Sequence, residues 1–189
     1  MTRSRKLIIA GAVVAVAATA AVIATQGSAS HDATRLSNTG RQQVEIRRVV
    51  IRSVPIRRGR LLAVRANRAL YRLDRTNAAP CFGVGPASDV GNLGAITCPR
   101  GGFPRAGEPV LDFSVYESMR HDVRDLSLFR IEGFVADGVA AIEFLRPNGS
   151  VAVKVPVAGN VYATTTVPEG PVAGFAAVDK GGKRIGRSP

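Results

Sequence analysis

Short apolar runs separated by turn residues occupy the last third of the chain. Most of these runs are six or seven residues long, which is typical of β-strands. Asn148-Gly149 stands between two of the runs and is a strong signal for a β-hairpin. The pattern therefore predicts an antiparallel β-sandwich in this part of the chain. The predicted strands cover residues 128–134, 139–145, 151–157, 161–166, 172–178 and 184–185.

Extended segments are also predicted nearer the N-terminus. Residues 44–56 contain seven β-branched residues, which favour a strand. Pro55 excludes a long helix there, so the whole segment is predicted as one strand. Residues 61–65 and 70–74 predict the two arms of a hairpin, with its bend at 66–68.

Alternation along the second arm of this hairpin predicts which side chains share a face. Leu70 and Arg72 are expected on one face of the strand. Tyr71 and Leu73 are expected on the opposite face.

Two further segments are predicted to lie outside the strands. Residues 83–102 are rich in glycine and turn residues and are predicted to be mostly loop, closed by Cys98. The sequence Gly83-Val84-Gly85-Pro86 in this segment lacks the spacing of a phosphate-binding loop, so a nucleotide site is rejected. Residues 118–126 predict a short helix with Ser118 as its N-cap.

The N-terminal segment carries the signature of export. Arg3, Arg5 and Lys6 precede residues 7–25, which are 19 positions without a charge. A helix of that length measures about 28 Å, close to the thickness of the hydrocarbon core of a bilayer. The positive-inside bias keeps the basic start in the cytoplasm and sends the following chain outward. We therefore expect an N-terminal transmembrane or signal helix.

Two fates of this segment remain open. The apolar stretch is longer than a usual signal core, which favours a retained anchor. Gly27-Ser28-Ala29 offers small residues at the positions that a signal peptidase reads, with cleavage before Ser30. The expected location is therefore a single-pass membrane protein with an extracytoplasmic C-terminal domain, or a secreted protein cleaved near Ala29.

The domain organisation follows from these segments. Residues 1–29 form the signal peptide or anchor, and residues 30–43 are small, polar and aperiodic, as in a flexible linker. Residues 44–189 are expected to form an extracytoplasmic β-rich domain. It is divided into an Arg-rich part, 44–105, and a sandwich part, 106–189.

Cys81 and Cys98 are the two cysteines of the chain, 17 positions apart. An even number of cysteines in an exported chain predicts a disulfide. A metal pair or a redox pair is the competing interpretation. Neither a CxxC motif nor a cluster of histidines supports it, because the histidines are His31 and His121 alone.

Charge is concentrated in the first half of the domain. The net charge of the chain is +12, and residues 30–105 contribute +10 from fourteen Arg and four acidic residues. The segment 35–75 holds twelve Arg and no Lys. Such a surface could bind anionic lipid or a cell-wall polymer. The alternative is that Arg replaces Lys through coding bias and solvates exposed strand faces. The candidate contact residues are Arg47, Arg48, Arg52, Arg57, Arg58 and Arg60.

The sequence lacks the residue patterns that most catalytic and metal-binding sites require. A Ser–His–Asp site needs a base, and His31 falls in the predicted linker while His121 lies in a polar stretch. No metal or cofactor site is expected, because no His, Cys or acidic group has ligand spacing. Nucleic acid is not expected as a partner, because the chain is predicted to be exported and few aromatics interleave the Arg residues for base stacking. A hydrolase with an unrecognised carboxylate pair remains an alternative. Its candidate acids are Asp112, Glu117, Asp122, Asp125, Glu132, Asp137 and Glu143, of which Glu132 and Glu143 are expected to face solvent.

The C-terminal segment resembles a known class of module. The relevant motifs are Asp137-Gly138-Val139-Ala140, Asn148-Gly149, the strand 155–162 and the closing segment 177–182. Together they make residues 129–186 similar to bacterial immunoglobulin-like or fibronectin-type-III-like extracellular modules. The whole chain resembles small exported proteins of high-GC bacteria. The resemblance implies an extracellular sandwich. We expect a non-enzymatic cell-envelope protein with a structural or binding role and an unassigned protein partner.

Overall fold

The computed structural model describes residues 35–51, 54–118 and 126–187. The predicted span 7–25, the cleavage site and the first residues of the predicted linker lie outside these ranges. The described part of the chain is mostly β, with thirteen strands in antiparallel sheets and no helix. The sequence prediction of a β-rich antiparallel domain is therefore confirmed. The described residues of the chain include no helix with the length and hydropathy needed to cross a membrane.

The first sheet contains five antiparallel strands from the Arg-rich part of the chain. They lie in the order in which they occur in the sequence, so each strand pairs with its neighbour. The strands are β1 (Gln42–Ile51), β2 (Val54–Arg65), β3 (Arg68–Arg75), β4 (Ala78–Pro86) and β5 (Ala95–Thr97).

The remaining strands form two further sheets. The middle sheet has the order β11-β8-β6, and β7 also pairs with β8. The last sheet has the order β10-β9-β12-β13. The strands of the middle sheet are β6 (Val110–Asp112), β7 (Val115–Ser118), β8 (Leu126–Val135) and β11 (Val161–Thr164). Those of the last sheet are β9 (Val139–Leu145), β10 (Val151–Pro156), β12 (Gly174–Asp179) and β13 (Arg184–Arg187).

Apolar side chains cover both faces of the middle sheet. Ile131 and Val135 on β8 pack with Ile142 and Phe144 of β9, so the middle and last sheets enclose one core. Phe134, on the opposite face of β8, belongs to a second core with side chains of the first sheet. Those side chains are Leu70, Phe82 and Val84. Burial on two faces excludes water from the middle sheet and fixes its position between its neighbours.

The predicted hairpin of the Arg-rich part is confirmed. Strands β2 and β3 are joined at Ala66 and Asn67, which both have positive φ angles, as a tight two-residue turn requires. Leu70 belongs to the core against the middle sheet. Tyr71 and Leu73 belong to a separate core on the other face of the first sheet. The predicted division of side chains between the two faces is therefore correct.

The prediction of one strand over 44–56 is wrong in detail. Residues 42–51 and 54–65 are two antiparallel strands, with Val50 opposite Pro55. The β-branched residues that favoured a strand therefore belong to both arms of a hairpin. Pro55 is accommodated near the beginning of β2.

The prediction of a loop over 83–102 also needs correction. Gly83-Val84-Gly85-Pro86 lies inside β4, and only the segment after it is irregular before β5 begins. The glycines have a packing role there. A Cβ atom at Gly85 would clash with the backbone carbonyl of Asn92, so glycine lets this loop fold back over the strand.

The predicted helix over 118–126 is replaced at both ends by strands. Ser118 is the last residue of β7 and lies opposite Leu126, the first residue of β8. Ser118 is therefore not a helix N-cap. The intervening residues 119–125, which include His121, lie outside the described part.

The C-terminal strand pattern is confirmed with small shifts at the ends. The Asn148-Gly149 turn joins β9 to β10 as an antiparallel hairpin. The turn at Asp137-Gly138 has a different role, because β8 and β9 belong to different sheets. It therefore carries the chain from the middle sheet to the last sheet.

The part of the predicted linker that the structure describes lies against the domain. Leu36 packs beside the core between the first and middle sheets. The backbone NH and hydroxyl of Ser37 both donate to Asp137 Oδ1, at 3.0 and 2.9 Å. The backbone NH of Asn38 donates to Asn160 Oδ1 at 3.0 Å. Polar contacts thus attach this segment to two turns of the sandwich.

The predicted disulfide is confirmed. Cys81 on β4 is bonded to Cys98, which follows β5. The Cys81 side chain is fully buried in the core on the outer face of the first sheet, beside Leu73 and Ile96. The bond closes the loop that folds over β4.

Removal of this bond is expected to destabilise the domain. The double variant Cys81→Ala/Cys98→Ala should lose about 3 kcal/mol of unfolding free energy, because opening a loop of this size restores entropy to the unfolded chain. Urea unfolding of the full chain, with and without dithiothreitol, measures the effect. The wild type should weaken on reduction, whereas the double variant should be insensitive to it. Equal midpoints for the oxidised wild type and the double variant would contradict this prediction.

Candidate functional site

One face of the first sheet carries a cluster of charged side chains, which we call the arginine face. Strand pairing creates it, because Glu45 lies opposite Arg58 while Arg60 lies opposite both Gln43 and Arg72. Alternation along β3 places Asp74 on the same side as Arg72. The arginine face consists of Gln43, Glu45, Arg58, Arg60, Arg72 and Asp74.

Part of the positive charge of this face is neutralised within it. Asp74 accepts a hydrogen bond from Arg60, with Nε 3.0 Å from Oδ2. Its other oxygen, Oδ1, lies 2.9 Å from Arg72 Nε. Because these groups remain in contact with water, each pair contributes little to stability. Their main effect is to place both guanidinium groups beside one carboxylate.

Arg58 differs from its neighbours. Its side chain is exposed and makes no ion pair within the described part of the chain. It lines a surface cavity of about 390 Å³ together with Gln43, Val44 and Glu45. We call this space the Arg58 cavity.

The six predicted anion-binding arginines have different environments. Arg47 is ion-paired with Asp89, with Nη1 2.9 Å from Oδ1, and Arg60 is paired with Asp74. Arg58 lines the cavity. The side chains of Arg48, Arg52 and Arg57 lie outside the described part. The structure therefore brings Arg58 and Arg60 to one face and shows local compensation of Arg47 and Arg60.

The expectation that Glu132 faces solvent is wrong. Glu132 on β8 is fully buried and contacts two arginines. Arg68 Nε on β3 donates to Oε2 at 2.7 Å, and Arg130 Nε lies 2.7 Å from Oε1. The Arg side chains are 15% and 33% exposed, so both keep contact with water while the carboxylate does not. The contact with Arg68 links the middle sheet to the first sheet.

Glu143 also differs from its expected solvent-facing position. Its side chain is only 13% exposed and contacts two cations, one on the adjacent strand β10 and one on β13, which lies beyond β12. Lys154 Nζ lies 3.3 Å from Oε1, and Arg184 Nη2 lies 3.0 Å from Oε2. The long aliphatic parts of such cations can cover a carboxylate while their charged ends stay in water.

Asp112 is the centre of a partly buried polar network. Its Oδ1 accepts hydrogen bonds from the hydroxyls of Tyr162 and Ser114, both at 2.6 Å, and Oδ2 accepts one from the Tyr116 hydroxyl at 2.9 Å. Burial, followed by the charge of Asp112, raises the pKa of both Tyr116 and Tyr162. Both phenols therefore remain protonated donors. Gly133 makes room for this network, since a Cβ there would overlap the Tyr162 side chain.

Asp137 belongs to the contact between residues 35–38 and the turns of the C-terminal strands. Partial burial alone would raise the pKa of its carboxyl group. Hydrogen bonds from Asn160 and Ser37 and the charge of Arg35 outweigh that effect, so the pKa is lowered. Asn160 Nδ2 donates at 2.8 Å. The ionised form of Asp137 is therefore stabilised by the folded structure.

The described carboxylates of the hydrolase alternative thus contact cations or hydrogen-bond donors. They are Asp112, Glu132, Asp137 and Glu143. The side chain of Glu117, together with Asp122 and Asp125, lies outside the described part. Within the ranges that the structure describes, no three His, Cys, Asp or Glu residues are grouped as metal ligands.

Sequence reasoning missed the pairing of Glu132 and the network around Asp112. The sequence did contain a signal that Glu132 is buried, because it stands between Ile131 and Gly133-Phe134 in an otherwise apolar part of the strand. The identity of its partner Arg68, 64 positions away, had no such signal. Comparison of the chain with protein-family models, curated proteins and solved structures finds no match.

Loss of the Glu132 charge is expected to destabilise the domain strongly. Glu132→Gln leaves Arg68 and Arg130 without their anion and should cost about 3 kcal/mol, since breaking a buried ion pair leaves a charge uncompensated. Chemical denaturation of the full chain measures this loss. Glu169→Gln, at an exposed acid, is the matched control and should change stability little. Wild-type stability of Glu132→Gln would contradict a stabilising role for the pair.

The lowered pKa of Asp137 predicts an acid-dependent contribution to stability. This contribution is complete above the unfolded pKa, about 4, and is lost as the pH falls through the lower folded value. Asp137→Asn should therefore be less stable than wild type at neutral pH, with a difference that shrinks on acidification below about pH 4. Thermal unfolding of both proteins between about pH 2 and 7 tests this dependence. A constant difference across that range would contradict it.

Proposed function

We propose that the chain is an exported protein of the cell envelope, whose β-rich domain lies outside the cytoplasm and has a structural or binding role. The observation that carries the proposal is the Cys81–Cys98 disulfide. Such bonds form and persist in oxidising compartments and are rare in the cytosol. The basic start followed by the apolar segment 7–25 supports the same location.

The contacts of the described acids favour a structural or binding role over catalysis. General acid–base chemistry needs a carboxyl group that can reach a substrate and exchange a proton. Glu132 is fully buried between two cations. Asp112 accepts three hydroxyl hydrogen bonds. Glu132 links the middle sheet to the first sheet, and Asp112 joins strands within the middle sheet. These structural contacts account for both acids.

A second candidate function is the binding of an anionic envelope surface. Arg58, Arg60 and Arg72 lie on one face of the first sheet, which favours such binding. Asp74 and Glu45 on the same face reduce its net positive charge. The arginine face is therefore better suited to a specific ligand than to general attraction of polyanions.

Cellular fractionation combined with thiol labelling tests the export proposal. The full chain should be found in the membrane fraction or the medium, with both cysteines resistant to alkylation until a reductant is added. Protease added outside intact cells should reach the domain, or the domain should already be released. A variant lacking residues 7–25 is the control and should accumulate in the cytosol with alkylatable thiols. Cytosolic wild-type protein with both thiols free would overturn the proposal.

A further inference from the structure

Two opposite charges face the Arg58 cavity without being paired. Glu45 on β1 and Arg58 on β2 are directly opposite in the strand register. Both side chains are exposed, and no ion pair joins them within the described part of the chain. Both line the same cavity of about 390 Å³. Its volume falls within the range of small-molecule sites, about 300–1,000 Å³.

Other acids of the first sheet and its loops are already neutralised by nearby arginines. Asp74 is held by Arg60 and Arg72, and Asp89 is held by Arg47. Because these cations have their own partners, they do not compete for Glu45. The free charges of Glu45 and Arg58 are thus available to a ligand.

The chemistry of the lining residues defines what would fit. The Arg58 guanidinium can bind a carboxylate or phosphate through two parallel hydrogen bonds. Glu45 attracts an ammonium group and repels a second anion. The Gln43 amide can donate to and accept from a neighbouring hydroxyl or amide. A ligand with both charges satisfies Arg58 and Glu45, whereas a simple anion meets repulsion from Glu45.

We propose that the Arg58 cavity binds a zwitterionic group, in which an ammonium lies a few bonds from a carboxylate or phosphate. The carboxylate form would come from a free amino acid, and the phosphate form from an aminoalkyl phosphate of a lipid or polymer. This inference deepens the binding role proposed above and rests on it. It concerns the site itself, so it can fail while the export assignment holds.

Calorimetric titration of the full chain in detergent distinguishes the ligand sources. The probes are D-alanine and phosphoethanolamine, compared with acetate, inorganic phosphate and ethanolamine. At least one zwitterion should bind saturably and about tenfold more tightly than the probes that carry charge of one sign only. The reason is that loss of one charged contact weakens binding by at least this factor. The preferred zwitterion identifies the carboxylate or the phosphate source.

Substitutions then assign the binding to the two side chains. Arg58→Gln and Glu45→Gln should each weaken zwitterion binding about tenfold or more. Arg100→Gln and Glu169→Gln are matched controls, since both residues are exposed and neither lines the cavity. Unfolding midpoints of all variants show whether each protein remains folded. The proposal would be overturned if no zwitterion binds saturably, if neither zwitterion binds more tightly than acetate, phosphate and ethanolamine, or if both cavity substitutions leave the binding unchanged.

Discussion

The contact of Glu132 with Arg68 places a charged pair across the boundary between two sheets. Glu132 projects from the middle sheet toward the first sheet, where Arg68 Nε lies 2.7 Å from its carboxylate. A buried carboxylate is tolerated only if cations or donors surround it, so the two sheets must keep one relative position. The apolar contacts between Phe134, Leu70 and Phe82 are compatible with that position and supply the main driving force. Hydrophobic burial thus holds the sheets together, while the ion pair selects their alignment.

The same arrangement explains how an Arg-rich sequence forms a stable sheet. Arg68 is used at the sheet boundary, Arg47 and Asp89 compensate each other near the edge, and Arg60 and Arg72 share Asp74. Local pairing reduces the repulsion that so many like charges would otherwise produce. Arg58 remains exposed beside Glu45 at a surface cavity. The candidate binding surface is therefore one face of β1 and β2 and not the whole basic segment 35–75.

Local patterns predicted much of the strand content. The Asn148-Gly149 hairpin and the alternation of Leu70 and Tyr71 were readable because turn chemistry and side-chain direction depend on adjacent residues. The errors share a different origin. Gly83 and Gly85 suggested a loop, but both lie in a strand. Their lack of a side chain lets residues 92–93 pack closely against that strand. Ser118 suggested a helix cap, yet pairing with Leu126 places it in a strand. In both places a contact with a residue seven to ten positions away overrode the preference of the adjacent residues.

The sequence by itself determined the β-rich class, the cysteine pair, most turns and the concentration of arginine in one half of the domain. These properties follow from residue type and spacing along the chain. Only the tertiary structure decided which sheet each strand joins, that Glu132 is buried, and which arginines remain unpaired. Those outcomes depend on contacts between residues far apart in the sequence, such as Arg68 and Glu132, which are 64 positions apart. Periodicity shows which face of a strand is apolar, but packing determines what that face meets.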